Sequence, residues 1–237
     1  MDFLVIPAYK PDLTLIHLLQ RVKAKSSLHI VVVNDGSPAS YNSIFQEAQK
    51  CATILCYPSN QGKGQALKNA FTYIDALGQY GTVVTADADG QHNVWDIFRV
   101  SKKAQENPNH LILGVRSFSG KVPLRSAFGN KVTRFLFQRQ TGVSVTDTQT
   151  GLRSFTTNMI PFMLEIEGQR YEYEMNMLLS ASTKYPIIEV PIETIYINEN
   201  QASHFRPVRD GLMIYKDMFK FALSSISSFL IDYIVYA

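Results

Sequence analysis

The chain has 237 residues, enough for one large α/β domain or two small ones. With 46% hydrophobic and 18% charged residues it can bury a substantial core, which excludes a chain disordered by composition. The net charge of +3 singles out no partner, but between Asn107 and Thr146 there is no acidic residue and there are six Lys or Arg: Arg116, Lys121, Arg125, Lys131, Arg134 and Arg139. That stretch suits phosphate-bearing ligands or an anionic membrane surface, or else forms a solvated basic face. Cys51 and Cys56 lack metal spacing and read as thiols of a reducing compartment.

The first two-thirds of the chain alternates strand and helix signals. "DFLVIPAY" is a short apolar run ended near Pro7. "DLTLIHLLQRVKA" has helical spacing with Asp12 as its N-cap. "HIVVVNDGS" is a buried-type strand broken by a turn, "YNSIFQEAQK" a helix, and "ATILCYP" a third strand. "KGQALKNAFTYIDALG" is a helix closed by Gly78, and "GTVVTADADG" a fourth strand. "VWDIFRVSKKAQEN" is a helix capped by Asn93, and "HLILGVR" a fifth strand. This alternation predicts a mostly parallel sheet covered on both faces, with ligands beyond the strand C-termini. "PAY", "NDGS", "DADGQ" and "GVR" all fall at that rim.

After Arg116 the pattern changes. "SAFGNKVTRFLFQRQTG" reads as a helix with Phe128, Val132, Phe135 and Leu136 on one side and basic residues on its flank. Such a helix can lie in a membrane interface or pack on the core. "DTQTGLRSF" reads as a strand, "RYEYEMNMLLSASTKY" as a helix, and "IIEVPIETIYI" as an edge strand because it holds Pro191. The loop "NENQASHFRPVRDG" carries Arg206 and Arg209. The apolar "FKFALSSISSFLIDYIVYA" reads as a membrane segment, cut from a longer protein, or as a packed amphipathic helix.

Asp87 and Asp89 end the fourth strand. If the backbone there were still extended, the two carboxylates would face one side and repel unless a cation or proton relieved them. Mg²⁺ or Mn²⁺ suits an oxygen-only pocket completed by Gln91 or His92, and Mg²⁺ takes few protein ligands, sharing its shell with substrate phosphate. The bland alternative is an Asx-rich turn. Asp35 can accept hydrogen bonds from a base or ribose, and Lys63 in "NQGKG" can face phosphate or sugar oxygens. Neither a Walker A spacing nor a dinucleotide fingerprint is present.

"PAY" (7–9), "VNDGS" (33–37), "NQGKGQAL" (60–67), "DADGQH" (87–92), "GVR" (114–116), "DTQTGLR" (147–153) and "YEYEMNML" (171–178) follow one another in order. Together they resemble the family 2 glycosyltransferases of GT-A fold, most closely the polyprenyl- and dolichol-phosphate hexosyltransferases. The resemblance covers about residues 1–210; the tail from Phe219 resembles the start of a GtrA-type membrane domain. Two departures lie on the nucleotide side: Lys10-Pro11 stand where the family carries Asn-Glu, and Pro38-Ala39 follow "DGS" where an acidic residue is common.

The resemblance implies an α/β, GT-A fold: a Rossmann-like, mostly parallel mixed sheet flanked by helices over 1–210, then a membrane-associated segment over 211–237. It implies inverting transfer of a hexose from a nucleotide diphosphate sugar, a UDP-hexose such as UDP-glucose, to a polyprenyl phosphate such as undecaprenyl phosphate. Asp89 and Gln91, with Asp87, would hold Mg²⁺ or Mn²⁺. Pro7, Ala8, Tyr9, Asp35, Lys63, Asp87, Arg206 and Arg209 would surround the nucleotide sugar. Arg116, Arg125 and Arg153 would grip the acceptor phosphate. Asp147 would act as a base or sugar-orienting carboxylate, or hold Arg153 or Arg125 in place, and Glu174 would bind sugar hydroxyls. Glu172, Asn130 and His92 have structural readings of at least equal weight. Expected partners are the donor, the lipid phosphate and the cytoplasmic face of the cell membrane, with anchoring through the C-terminal segment; nucleic acid is not among them, and self-association stays open. The alternatives are a GDP-mannose-dependent enzyme, a nucleotidyltransferase and a catalytically silent membrane-associated subunit.

Overall fold

Alternate side chains of the first strand feed two separate cores. In β1 (Phe3–Ala8), Phe3 and Val5 join one apolar cluster while Leu4, Ile6 and Ala8 join the other, as the two-residue period of a strand demands. The computed structural model describes residues 1–116 and 124–193, without the side chains of residues 124–129 and 132.

Six further strands complete one sheet: β2 (His29–Asp35), β3 (Thr53–Tyr57), β4 (Thr82–Thr85), β5 (Leu111–Arg116), β6 (Arg153–Thr156) and β7 (Ile187–Ile192). Their order is β3-β2-β1-β4-β6-β5-β7. β1, β2, β3 and β4 run parallel; β6 lies antiparallel between β4 and β5, and β7 pairs parallel with β5. β7 is an edge strand, as Pro191 requires.

Helices α1 (Leu13–Lys25), α2 (Asn42–Ala48) and α4 (Val94–Glu106) cover one face. Helices α3 (Lys63–Ala76), α6 (Ile160–Glu165) and α7 (Glu172–Lys184) cover the other, joined by α5 (Leu124–Thr141) through the buried Phe137. The two expected caps are in place. Asp12 accepts from the Thr14 N–H at 2.8 Å, and Asn93 accepts from the Trp95 N–H at 3.1 Å.

Two expectations change. Helix α6 is not among the elements expected from the sequence; Ile160 and Met163, three apart, are buried, and Pro161 stands in its first turn, where a missing N–H costs nothing. In α5 the inward face is Asn130, Thr133 and Phe137, all buried, whereas Phe135 is 65% exposed and Leu136 is half-buried against the core. The side chains of Phe128, Val132 and Arg125 lie outside the described residues, as do Lys121, Arg206, Arg209 and the whole 211–237 segment with its boundary at 210. Among the described residues no helix is long and apolar enough to cross a membrane.

Candidate active site

The β1 and β2 ends are tied together at the rim. The Lys10 N–H donates to Ser37 Oγ at 2.9 Å, and the Ser37 N–H donates to Asn34 Oδ1 at 2.9 Å. Tyr9 lies at this edge under Lys10 Nζ, 5.1 Å from its ring centroid. Pro7 is partly exposed. Ala8, expected beside the base, is instead buried in the core against α1.

Asp35 also departs from expectation. It is 4% exposed and its carboxylate is committed to the next loop. Oδ1 accepts from the Gln61 N–H at 2.8 Å; Oδ2 accepts from the Gly62 N–H at 2.8 Å and from Asn60 Nδ2 at 2.9 Å. A negative charge just ahead of α3 suits the positive end of that helix. Asp35 therefore fixes the loop that delivers Lys63.

The glycines of "NQGKG" are there for close approach. A Cβ on Gly62 would lie 2.5 Å from Arg170 Cγ, and one on Gly64 would lie 2.4 Å from Tyr173 Cβ. Their absence lets the start of α3 press against the start of α7, where the Gln65 N–H donates to the Gln169 carbonyl at 2.7 Å. Glu172 is buried and accepts from the Gln169 and Arg170 N–H groups at 2.9 and 3.0 Å, so it is a structural cap of this contact.

This contact brings Lys63 and Glu174 together. Lys63 Nζ lies 2.7 Å from Asp87 Oδ1 and 2.7 Å from Glu174 Oε2. Burial alone would lower the pKa of Lys63, but Asp87 and Glu174 outweigh it and hold the ammonium well above its ordinary value. Burial likewise works against the Asp87 carboxylate, and Lys63 with His92 overrides it and keeps Asp87 well below the usual carboxylate range. His92 Nε2 stands 3.5 Å from Asp87 Oδ2, near enough for charge attraction when protonated but outside good hydrogen-bond geometry. Asp87 also depends on Gly151, since a Cβ there would lie 2.4 Å from its Oδ2.

Asp87 and Asp89 do not meet by strand parity. β4 ends at Thr85, and the chain turns through Ala88 and Asp89 into Gly90. Asp89 Oδ1 accepts from the Gln91 N–H at 3.0 Å, an Asx turn. The turn nevertheless aims both carboxylates into one cavity of about 50 Å³, lined by Asp87, Asp89, Gln91, His92, Arg116, Gln149, Thr150, Gly151 and Ile192. Burial, then the charge of Asp87, pushes the Asp89 carboxyl upward. Oxygen donors gathered in a polar cavity fit a hard divalent cation that keeps most of its shell for water and ligand. Among the described residues no cluster of three or more His, Cys, Asp or Glu side chains forms a fuller metal set.

The same lining includes one guanidinium, that of Arg116. Arg116, at the end of β5, grips Asp147 in a two-pronged pair: Nε at 2.6 Å from Oδ2 and Nη2 at 3.0 Å from Oδ1. Asp147 is fully buried, and both its oxygens accept from Arg116. Arg153 departs from its expected place at the acceptor. It is 1% exposed, and its guanidinium donates to the carbonyls of Thr150, Thr148 and Glu174. Burial pulls its pKa down, against the opposing charges of Glu174 and Asp147. It pins the cavity wall to the first turn of α7. Sequence reasoning missed this role, and it missed Gln149, Thr150 and Gly151 as lining; the "DTQTGLR" motif contains all four.

A mixed sheet in this order, helices on both faces, and a rim where carboxylates face a fixed guanidinium define a GT-A-like α/β protein. Solved structures agree at the level of the fold. Staphylococcus aureus TarS (1–349) matches with a TM-score of 0.51 at 15% identity, over 80% of this chain and 58% of that one. A cytidylyltransferase of Leptospira borgpetersenii matches with a TM-score of 0.54 at 14% identity, over 95% of each. The model of glycosyl transferase family 2 matches residues 3–166, and the chain belongs to that family of glycosyltransferases. It is 30% identical to the uncharacterized protein MJ1222 of Methanocaldococcus jannaschii over 235 residues, 94% of this chain and 92% of that one. It is 28% identical over 221 residues to the UDP-N-acetylglucosamine–dolichyl-phosphate N-acetylglucosaminyltransferase of Methanococcus voltae (84% and 88%). It is 24% identical over 204 residues to the polyprenol monophosphomannose synthase of Mycolicibacterium smegmatis (79% and 75%).

Proposed function

We propose that the chain moves a hexose from a UDP-sugar, UDP-glucose or a related UDP-hexose, to a polyprenyl phosphate such as undecaprenyl phosphate, with inversion at the sugar carbon. The observation that carries this reading is the shared cavity, whose lining includes Asp87, Asp89 and Gln91 as well as Arg116. The oxygen donors suit a cation-bound diphosphate and the guanidinium a phosphate monoester. The names of the M. voltae and M. smegmatis relatives support a polyprenol-type acceptor, and the former supports UDP over GDP.

The chemistry follows from the charges. A phosphate monoester has a second pKa of about 6, so the acceptor is mostly a dianion at neutral pH. It needs aim more than deprotonation: its oxygen attacks the anomeric carbon as the bond to the nucleoside diphosphate breaks. A bound Mg²⁺ or Mn²⁺ ion would neutralise charge growing on the leaving diphosphate. Asp89 and Gln91 would hold that ion, while Asp87 keeps Lys63 in register. Lys63 meets phosphate or sugar oxygens, and Glu174 meets sugar hydroxyls. Pro7 and Tyr9 border the base; Arg206 and Arg209 close over the diphosphate, and Arg125 assists Arg116. The enzyme works at the cytoplasmic face of the membrane, held there through residues 211–237.

A thermal-shift screen of UDP-glucose, UDP-N-acetylglucosamine and GDP-mannose with Mn²⁺ tests the donor side, since a ligand bound only to the native state raises stability. A UDP-sugar is expected to give the largest shift, and Asp89→Ala to remove its Mn²⁺ dependence. A larger shift with GDP-mannose would reassign the base. No shift with any donor would overturn the reading.

A further inference from the structure

Helix α5 holds the segment around Asp147 through the amide of Asn130. Asn130 is 2% exposed. Its Nδ2 donates to the Thr146 carbonyl at 2.9 Å, and its Oδ1 accepts from the N–H and the hydroxyl of Thr148, each at 3.0 Å. The Thr146 carbonyl belongs to the peptide unit just before the Asp147 α-carbon, and the Thr148 N–H to the unit just after it. One carboxamide therefore holds both peptide groups that flank Asp147. The partners fix the direction of the amide, because a carbonyl can only accept and an N–H can only donate.

The surroundings stiffen the same three residues. The Thr148 hydroxyl lies 2.7 Å from that of Thr133, one turn along α5. Arg134 Nε donates to the Val145 carbonyl at 2.9 Å. On the other side, Glu189 of β7 accepts from the N–H and hydroxyl of Thr146. What this framework holds is the buried carboxylate that grips Arg116 by two bonds, and a guanidinium in such a pair points where its carboxylate points.

We infer that Asn130 is a positioning residue for acceptor binding: it fixes Asp147 and, through it, aims Arg116 at the acceptor phosphate. The inference rests on the acceptor reading above. It predicts selectivity that a purely structural role would not produce, because Lys63, Asp87 and Glu174 are held by other elements, α3, the β4 end and α7.

The test uses binding of farnesyl phosphate, a soluble short-chain polyprenyl phosphate, and of whichever of UDP or GDP the unaltered chain binds more tightly. Both are measured by calorimetry on the full chain, with melting curves run alongside. Asn130→Ala is expected to weaken farnesyl phosphate about tenfold, because Arg116 is then no longer held ready for the phosphate before it binds. Nucleoside diphosphate binding should stay within about twofold, and in an Arg116→Ala background Asn130→Ala should add less than about twofold. If Asn130→Ala does not fold, Thr148→Val removes only the hydroxyl contacts and should show the same selectivity at smaller size. Equal weakening of both ligands by the variant that folds, or full additivity with Arg116→Ala, would overturn the inference. Unchanged farnesyl phosphate binding in the variant would sink the inference alone; no binding by the unaltered chain would sink the acceptor reading with it.

Discussion

Replacing Lys63 with methionine removes the cation that lies between the partly buried carboxylates of Asp87 and Glu174. Lys63 is 15% exposed, Glu174 12% and Asp87 31%, and both N···O distances are 2.7 Å. At an effective dielectric of about 20 each contact is worth ~6 kcal/mol gross. Desolvation of three charges offsets most of that, and removing one partner of a buried pair costs ~3–5 kcal/mol net. Asp87 is the most hydrated of the three, so the low end, ~3 kcal/mol, is expected at pH 7. The pH dependence gives a second, sharper check. In the unaltered chain Asp87 lies well below its ordinary value of 3.8, so its stabilisation is present above 3.8 and is lost as pH falls through the depressed pKa. In Lys63→Met, Asp87 is left without that cation and its pKa rises. Acidification then protonates it and relieves the strain. The stability gap should be largest near neutrality and shrink by pH 4.5. Urea unfolding at both pH values, read as midpoint and slope, measures it. A gap under about 1 kcal/mol at pH 7, no larger than an exposed pair gives, would refute the reasoning. A gap that does not change with pH would refute it too.

Asp35→Asn should destabilise by ~1–3 kcal/mol, because an amide Nδ2 would face either the Gln61 N–H or the Gly62 N–H and Asn60 Nδ2 together, all donors. It should also weaken donor binding through the misplaced Lys63; a melt and a donor titration check both. Gly151→Ala should push Asp87 aside, at a cost of ~1–3 kcal/mol in stability and with weaker binding of nucleotide sugar by calorimetry. The Asp89 carboxyl is pushed above its ordinary 3.8 and must ionise to take a cation, so Mn²⁺ affinity should begin to fall at a higher pH than for an ordinary carboxylate. A Mn²⁺ titration by electron paramagnetic resonance from pH 7 downward follows this, and Asp89→Ala should abolish the dependence.

Much of the sheet was legible because buried parallel strands and capped helices leave local marks. The Asp12 and Asn93 caps and the edge position of Pro191 are where the spacing predicts. Other features were not legible, for a physical reason. The inward face of α5 is set by Asn130 and Thr133, buried because they bond to the 146–148 segment, and apolar periodicity cannot register a polar face. Asp35 and Arg153 have the residue types of ligand groups, yet Asp35 is bonded by the 60–62 loop and Arg153 by the carbonyls of Thr148, Thr150 and Glu174, pairings that spacing does not reveal. The crowded pair at 87 and 89 was legible as a site but not in its geometry: a turn, not strand alternation, aims both carboxylates, and Lys63 from α3 relieves the crowding.

The most direct test of the central claim is the lipid product itself. The purified chain, Mn²⁺ and undecaprenyl phosphate in detergent, with each of the three nucleotide sugars in turn, would be extracted and read by mass spectrometry. The account predicts a hexosyl phosphoundecaprenol, formed with release of one nucleoside diphosphate and lost in Asp89→Ala and Arg116→Ala. No lipid-linked sugar from any donor, or a product that forms equally well in both variants, would contradict it.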